Sequence, residues 1–521
     1  MTPLDSFHVQ IPIACRRYAD QIRSVRSDNS APLASTLALG LVVGLAKILI
    51  TAPFMHRYGW DRDELYFLAA ARHPALGYVD FPPVTAWIGW LVVHTVGASL
   101  FWLRMTSQIA SLIGVVIAAV MARDLGGGLR TQTAAAIAWA TTPAALAAGS
   151  LYHPTLYDAT AWIAISWVAL RIVLGGGAMR WWVALGILAG LGIETKYTVA
   201  VFLVSLIAAL ALAPGRRLLL SPGPLVAAGL AVLLTIPNLV WEQQHNWASV
   251  RFYPSQQTKT AGDTSHLAYI GQGTVFLGAM GVLVVVGLVW LWRRPEVRPL
   301  AIAAVLVTVI FFVERGRSYY PLPALVLPLT AGVVSCSRWL EAGSRLRIAA
   351  VGALAVAHVA VLALVVPLVV GVLPTATMIH DGYWKASWFK DEIGWPEMVD
   401  QVTQAWAQVP AADHRDAVLL ASNYGEAGAL AELGAHHGLP PVVSGHLSWQ
   451  YWTPHPFDQT VALTVGYDRG SAGPLCTDWH PIAKLHNRWH IDNEEEGAWI
   501  GWCRLREPID RLWPHIARDV L

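Results

Sequence analysis

The feature that most constrains this chain is the recurrence of apolar runs between Leu33 and Leu373. Each approaches the roughly 20 helical residues needed to cross a hydrocarbon core of about 30 Å. Only 13% of the residues are Asp, Glu, Lys or Arg, against about 25% in a soluble globular protein. An ordinary soluble enzyme is thereby excluded. Eleven spans are expected, near 33–53, 103–122, 133–150, 159–175, 181–195, 197–213, 225–241, 269–292, 299–314, 321–338 and 348–373.

The net charge of +2 conceals an asymmetry: residues 1–373 carry 26 basic and 15 acidic side chains, residues 374–521 carry 10 and 19. Three regions follow: a cytoplasmic tail over 1–32, a membrane module over 33–373 and an acidic soluble domain over 374–521. The tail holds Arg16, Arg17, Arg23 and Arg26 and no cleavage site, so it is not a secretory signal. With the N-terminus inside, 16 basic residues fall on the inner face and 9 on the outer side, as the positive-inside rule requires. The soluble domain is then extracytoplasmic. Segment 84–101 begins at Pro82-Pro83 and would invert every later loop if it crossed; it is expected to lie in the outer interface, with Trp87, Trp90 and Trp102 at headgroup depth. No basic stripe supports nucleic-acid binding.

Of the twelve acids between 61 and 373, nine fall at the outer ends of spans or in outer loops. Ionisable groups at membrane depth are costly and point to function, so chemistry is expected on the outer face. The soluble domain is expected to be α/β, with a helix over 395–408, strands near 417–421, 460–466 and 498–505, and a helix from Tyr424 to Leu433. Cys476 and Cys503 share an oxidising compartment; a disulfide and two unpaired thiols are both open readings. Cys15 and Cys336 are expected to be free.

The first outer loop, 54–102, concentrates the candidate chemistry. It contains Trp60-Asp61-Arg62-Asp63-Glu64-Leu65-Tyr66 and Gly77-Tyr78-Val79-Asp80-Phe81-Pro82-Pro83. Acids opening a helix complement its dipole, but a carboxylate at the membrane surface can also take a proton from an acceptor hydroxyl. Asp158, in Tyr152-His153-Pro154-Thr155-Leu156-Tyr157-Asp158, either orients a reacting group or caps a span. Lys196, Arg315 and Arg317 lie at outer ends of spans, against the orientation rule, where cations can stabilise a leaving phosphate. Their alternatives are a Lys196–Glu194 or Glu314–Arg317 pair, or snorkelling. Tyr319 and Tyr320 either hydrogen-bond phosphate or belong to the aromatic belt. His153, His245 and the early acids lack the spacing of a dedicated metal site.

These segments resemble the bacterial branch of the protein O-mannosyltransferase and aminoarabinose transferase family, glycosyltransferase family 39-like proteins. The resemblance rests on the acidic pair followed by Tyr66, the Gly-Tyr-x-Asp-x-Pro-Pro segment, and Lys196-Tyr197-Thr198. It continues through Trp241-Glu242-Gln243-Gln244-His245-Asn246-Trp247, Arg317-Ser318-Tyr319-Tyr320-Pro321, Asn423-Tyr424-Gly425-Glu426 and Ser444-Gly445-His446. It covers roughly 55–450.

The resemblance implies a polytopic helical membrane protein of the GT-C fold, with 11–13 spans and a C-terminal extracytoplasmic α/β domain. It implies a polyprenyl-phosphate-sugar donor used on the outer leaflet of a bacterial plasma membrane, with inversion at the anomeric carbon. Asp63 is the implied base, with Glu64 beside it and Asp158 assisting. Lys196, Arg315, Arg317, Tyr319 and Tyr320 would hold the donor phosphate, and Asp80 and His245 the acceptor side. Phe81 departs from relatives that carry His or Lys before the proline pair. No cofactor is expected to be required, although a divalent ion is compatible. Sugar and acceptor are not specified; protein, lipid and polysaccharide all fit. The rivals are a transporter or flippase, which predicts repeated halves with broken spans, and a non-catalytic scaffold.

Overall fold

The computed structural model describes residues 32–212, 215–341, 343–453 and 457–518. Most of the expected tail, with Cys15, lies outside the described residues. Each expected span overlaps helix within the described residues, but the eleven do not correspond to eleven continuous spanning helices. Among the described residues, seven helical segments are long and apolar enough to cross a membrane: Leu33–Phe54, Leu100–Asp124, Pro154–Leu174, Gly223–Gln244, His266–Trp292, Leu322–Leu340 and Arg345–Val369. Met179–Ile193, Thr198–Leu212 and Arg298–Val313 are shorter apolar helices. This is a multi-pass membrane protein.

Two expected spans are interrupted. The 133–150 span is split into Leu129–Ala140 and Pro143–Ala148. Pro143 occupies the first turn of the second piece, and the Thr142 hydroxyl accepts from the Ala145 amide at 3.2 Å, so the chain restarts a capped helix there. Within 269–292 the ladder breaks at Gly278, where φ is +56°. Segment 84–101 is likewise divided. Helix Val84–Val96 ends at Gly97, and Trp87 and Trp90 on it remain partly exposed, as does Trp102 on the following helix.

Small residues set the helix spacing. Gly40 and Gly44 lie one turn apart and face Leu100–Asp124; a Cβ on either would sit 2.9 Å from Val116 Cα or 2.8 Å from Leu112 Cγ. Apolar packing gains little inside lipid, so close backbone approach through small residues takes over.

The C-terminal domain contains strands β1 (Ala417–Ala421), β2 (Val442–Val443), β3 (Val461–Val465), β4 (Cys476–Lys484) and β5 (Trp499–Leu505). Their order is β2-β1-β3-β5-β4; β1 pairs in parallel with β2 and β3, while β5 runs antiparallel to β3 and β4. β1 and β3 are buried throughout, as expected of parallel strands covered on both faces. The edge strand β4 escapes sequence patterning. It is mostly exposed, contains Pro481 and pairs irregularly, features that blunt a sheet edge. Cys476 and Cys503 form a disulfide, and Cys336 is free.

Helix Tyr424–Glu432 lies directly on helix Arg62–Arg72 of the membrane module. Gly425 and Gly428 permit the crossing: a Cβ on Gly428 would sit 3.0 Å from the Leu65 carbonyl oxygen. One apolar core, including Leu65, Leu68, Leu419 and Leu463, therefore runs from the loop helices into the sheet. The soluble domain is thus positioned by the loop that carries the candidate acids.

Candidate functional site

A cavity of about 410 Å³ opens where these two helices meet the bundle. Its mouth is lined by Asp61, Arg62, Asp63, His153, Asp391, Tyr424 and Glu494; its depth by apolar residues including Trp139, Ile163, Phe276 and Leu322. Tyr319, Tyr320 and Asp158 form part of the wall between. The volume falls within the range of about 300–1,000 Å³ typical of small-ligand sites.

Asp61 caps helix Arg62–Arg72 by accepting from the Asp63 amide at 2.9 Å, and Glu64 reaches back to the Asp61 amide at 2.9 Å. This capping box satisfies amides that the first turn leaves unpaired. Its two neighbouring acids then separate in role. Glu64 is fully buried and accepts from Arg104 Nε at 2.7 Å, Arg104 Nη2 at 2.6 Å and the Tyr152 amide at 2.7 Å. Both its oxygens are committed inward, so it cannot accept a substrate proton. Expected beside Asp63 in catalysis, Glu64 is instead an internal anchor, because its partners lie on other helices.

Asp63 points the other way. Its side chain is 40% exposed, whereas that of Glu64 is 1% exposed. Tyr424 donates to Asp63 Oδ1 at 2.8 Å, and His153 Nε2 lies 3.5 Å from Oδ2. His153 also caps helix Pro154–Leu174, its Nδ1 accepting from the Thr155 amide at 3.1 Å. That bond assigns the ring proton to Nε2, the nitrogen facing Asp63. Burial alone would raise the Asp63 carboxyl; the bonds from His153 and Tyr424, with the charge of Arg62, bring it below the usual carboxylate range. Burial and the Asp63 charge hold the Tyr424 hydroxyl well above its usual range, so it remains a neutral donor.

Asp158 is buried, its oxygens accepting from Trp162 Nε1 at 2.8 Å and Thr198 Oγ1 at 3.0 Å. Lys196 Nζ donates to Thr155 Oγ1 at 3.1 Å and lies 4.5 Å from the centre of the Tyr320 ring. Thr155 and Tyr320 both belong to the cavity wall, so the ammonium sits at its edge. Tyr319 and Tyr320 are brought to the cavity as expected; Arg315 and Arg317 line none of it. Arg315 is exposed at φ +51°, and Arg317 is half-buried.

Asp80 is also set back from the wall, accepting from Tyr66 at 2.7 Å. His245 is not brought there either: its ring stacks on Trp241 at 4.0 Å and meets Tyr451 edge-on. Six residues of the mouth were not expected as site residues: Asp61, Arg62, His153, Asp391, Tyr424 and Glu494. Arg62 pairs with Glu494 and Glu495, which ties the loop helix to the segment joining β4 to β5.

Burial pushes the carboxyls of Asp80 and Glu495 up to about 7 and that of Glu392 up to about 8. In an unfolded chain such groups titrate near 4, so the folded protein holds extra protons between that value and about 8. Stability should therefore be fullest on the acidic side of this window, fall as pH rises through it, and level off above about 8. Melting in detergent at about pH 6 and 8.5 checks the sign; a higher midpoint at the alkaline value would contradict it.

Residues 80–241 match the family described as Dolichyl-phosphate-mannose-protein mannosyltransferase. Two solved structures of ArnT from Cupriavidus metallidurans share the fold, each at 15% sequence identity over 90% of this chain. The apo form has a TM-score of 0.54 with 96% of its own length covered. The form bound to undecaprenyl phosphate has a TM-score of 0.52 with 97% covered. No curated protein sequence matches significantly. Together these findings show that the chain has the fold of the ArnT structures and that residues 80–241 are similar to the mannosyltransferase family.

Proposed function

We propose that this protein transfers a sugar from a polyprenyl-phosphate-linked donor to an acceptor hydroxyl, with inversion, on the extracytoplasmic face of a bacterial plasma membrane. The observation that carries this reading is the cavity itself. A solvent-open carboxylate hydrogen-bonded by Tyr424 and faced by the His153 ring stands at its mouth, a lysine and two tyrosines at its edge and wall, and apolar side chains at its depth. A sugar phosphate and the first units of a lipid tail match that gradient, with the remaining tail in the bilayer. The ArnT structure with undecaprenyl phosphate shows that this fold accommodates such a lipid in that protein.

In this mechanism Asp63 takes the proton of the acceptor hydroxyl. The acceptor oxygen forms its bond to the anomeric carbon as the bond to the phosphate oxygen breaks on the opposite side. The electron pair leaves with the polyprenyl phosphate, which Lys196 and the Tyr319 and Tyr320 hydroxyls stabilise. Asp158 holds the start of the Lys196-bearing segment through Thr198. Arg317 lines none of the cavity, so it does not act on the phosphate directly. The acidic mouth and the soluble domain admit the acceptor. The side chains named here carry the proton and charge movements of this scheme.

The test is incubation of the detergent-purified protein with labelled polyprenyl-phosphate sugars and membrane extract. Transfer of label with release of polyprenyl phosphate is expected for one sugar class. Folded protein that leaves every donor intact while moving lipid across vesicles would favour the flippase reading.

A further inference from the structure

Away from the cavity, the loop joining β4 to β5 gathers a group of side chains that the glycosyl-transfer reading does not use. Glu496 Oε1 receives two imidazoles, His486 Nδ1 at 2.9 Å and His490 Nδ1 at 3.5 Å. All three ligand atoms lie within 4.8 Å of one another. We propose that His486, His490 and Glu496 bind a divalent transition metal, zinc foremost, which stiffens this loop.

The donor set selects the metal class. Two imidazoles and one carboxylate suit zinc and its neighbours, whereas calcium and magnesium favour oxygen ligands. Zinc bonds of about 2.0–2.2 Å imply tetrahedral edges of about 3.3–3.6 Å. The His490 nitrogen–oxygen separation of 3.5 Å already falls in that range and the 2.9 Å of His486 is shorter; rotation of the exposed rings adjusts it and closes the third edge. Water completes the fourth position. Capture of the metal needs only that each ring shift its proton from Nδ1 to Nε2.

The carboxylate is also held ready. Glu496 Oε2 accepts from the Asn487 amide at 2.8 Å and from Asn487 Nδ2 at 2.7 Å, leaving Oε1 toward the rings. Such supporting bonds orient metal ligands and are part of their affinity. His490 reaches its position with φ at +50°, a region non-glycine residues seldom adopt. The nearby cation Arg488 is engaged by Glu397 at 3.2 Å.

The position gives the metal a consequence. Glu494 and Glu495, directly before Glu496, hold Arg62, and Arg62 adjoins Asp63 at the cavity mouth. Glu496 and Asn493 brace the same loop, the Glu496 amide donating to Asn493 Oδ1 at 3.0 Å and Asn493 Nδ2 to the Ile393 carbonyl at 2.9 Å. Metal at the loop would therefore restrain the arm that fixes Arg62.

The test uses the full chain in detergent with zinc alone as probe. Chelator competition should show that wild type retains one equivalent more than the His486→Ala/His490→Ala variant. Zinc should also slow amide exchange across 485–498 in wild type and leave the variant unchanged. Both rings are exposed, so the variant should keep the wild-type melting midpoint. Should it misfold, diethyl pyrocarbonate labelling of His486 and His490 in wild type provides the second measure, with zinc expected to block it. Equal stoichiometry in both proteins, or labelling and exchange indifferent to zinc, overturns the metal site. Neither result depends on glycosyl transfer, so the two proposals fail separately.

Discussion

Replacing Asp63 by Asn should lower the transfer rate by about 10²–10⁴-fold, the range removed when a positioned general base is lost, while donor binding persists. The change is nearly isosteric, and the amide oxygen still accepts from Tyr424, which donates at 2.8 Å to Asp63 Oδ1. What disappears is the capacity to take a proton. Initial rates of label transfer, paired with binding of the donor lipid, separate the two effects. A variant that turns over at the wild-type rate would remove Asp63 from the mechanism. His153 gives a finer test of the same idea. Its Nε2–H supports the Asp63 anion from 3.5 Å, so His153→Ala should let the carboxyl rise. The acid limb of the pH–rate profile should then move to higher pH, because the base loses its proton less readily. An unmoved limb would make His153 only a helix cap.

The parts legible in the sequence are those dictated by local chemistry. Spans could be read because a bilayer demands apolar length, and β1, β3 and β5 because buried strands are apolar. The acids opening a helix at the membrane surface stood out as a group, and the family resemblance singled out Asp63 among them. Its neighbour Glu64 looked equivalent because nothing within the loop reveals Arg104, 40 residues away on another helix. The same distance problem hid Tyr424, 361 residues from Asp63, although its segment carried the family resemblance. His153 was visible only as a possible ligand; its capping bond to Thr155, which fixes the ring, is a matter of geometry. His245 misled because a motif marks similarity without saying which way a ring faces. The break before Pro143 had a local signal in Thr141-Thr142-Pro143, overridden by the apolar run around it.

Arg104 is the position where the largest loss of stability is expected. Its guanidinium grips both Glu64 oxygens, donates to the Gly59 and Met55 carbonyls and lies 3.4 Å from Glu392. All three charged side chains are at most 3% exposed. A buried pair of this kind contributes little net stability over an apolar substitute, but removing one partner strands the others, at a cost of about 3–5 kcal/mol. Arg104→Met should therefore destabilise the protein by about that amount at pH 8. The penalty should shrink on acidification. Burial already pushes the Glu392 carboxyl up to about 8, and without the guanidinium it sheds its charge more readily by protonation. Arg104→Lys should recover only part of the loss, since an ammonium cannot span both oxygens of Glu64 and two carbonyls. Adding Glu392→Gln to Arg104→Met should restore more, because it removes one of the two stranded acids. Thermal and denaturant melts in detergent across pH measure all three. A wild-type midpoint for Arg104→Met at pH 8 would show that the charges are relieved by solvent instead. The position also bears on activity. Glu64 ties Arg104 to the turn that presents Asp63, so a loosened anchor should reduce turnover even where the protein remains folded.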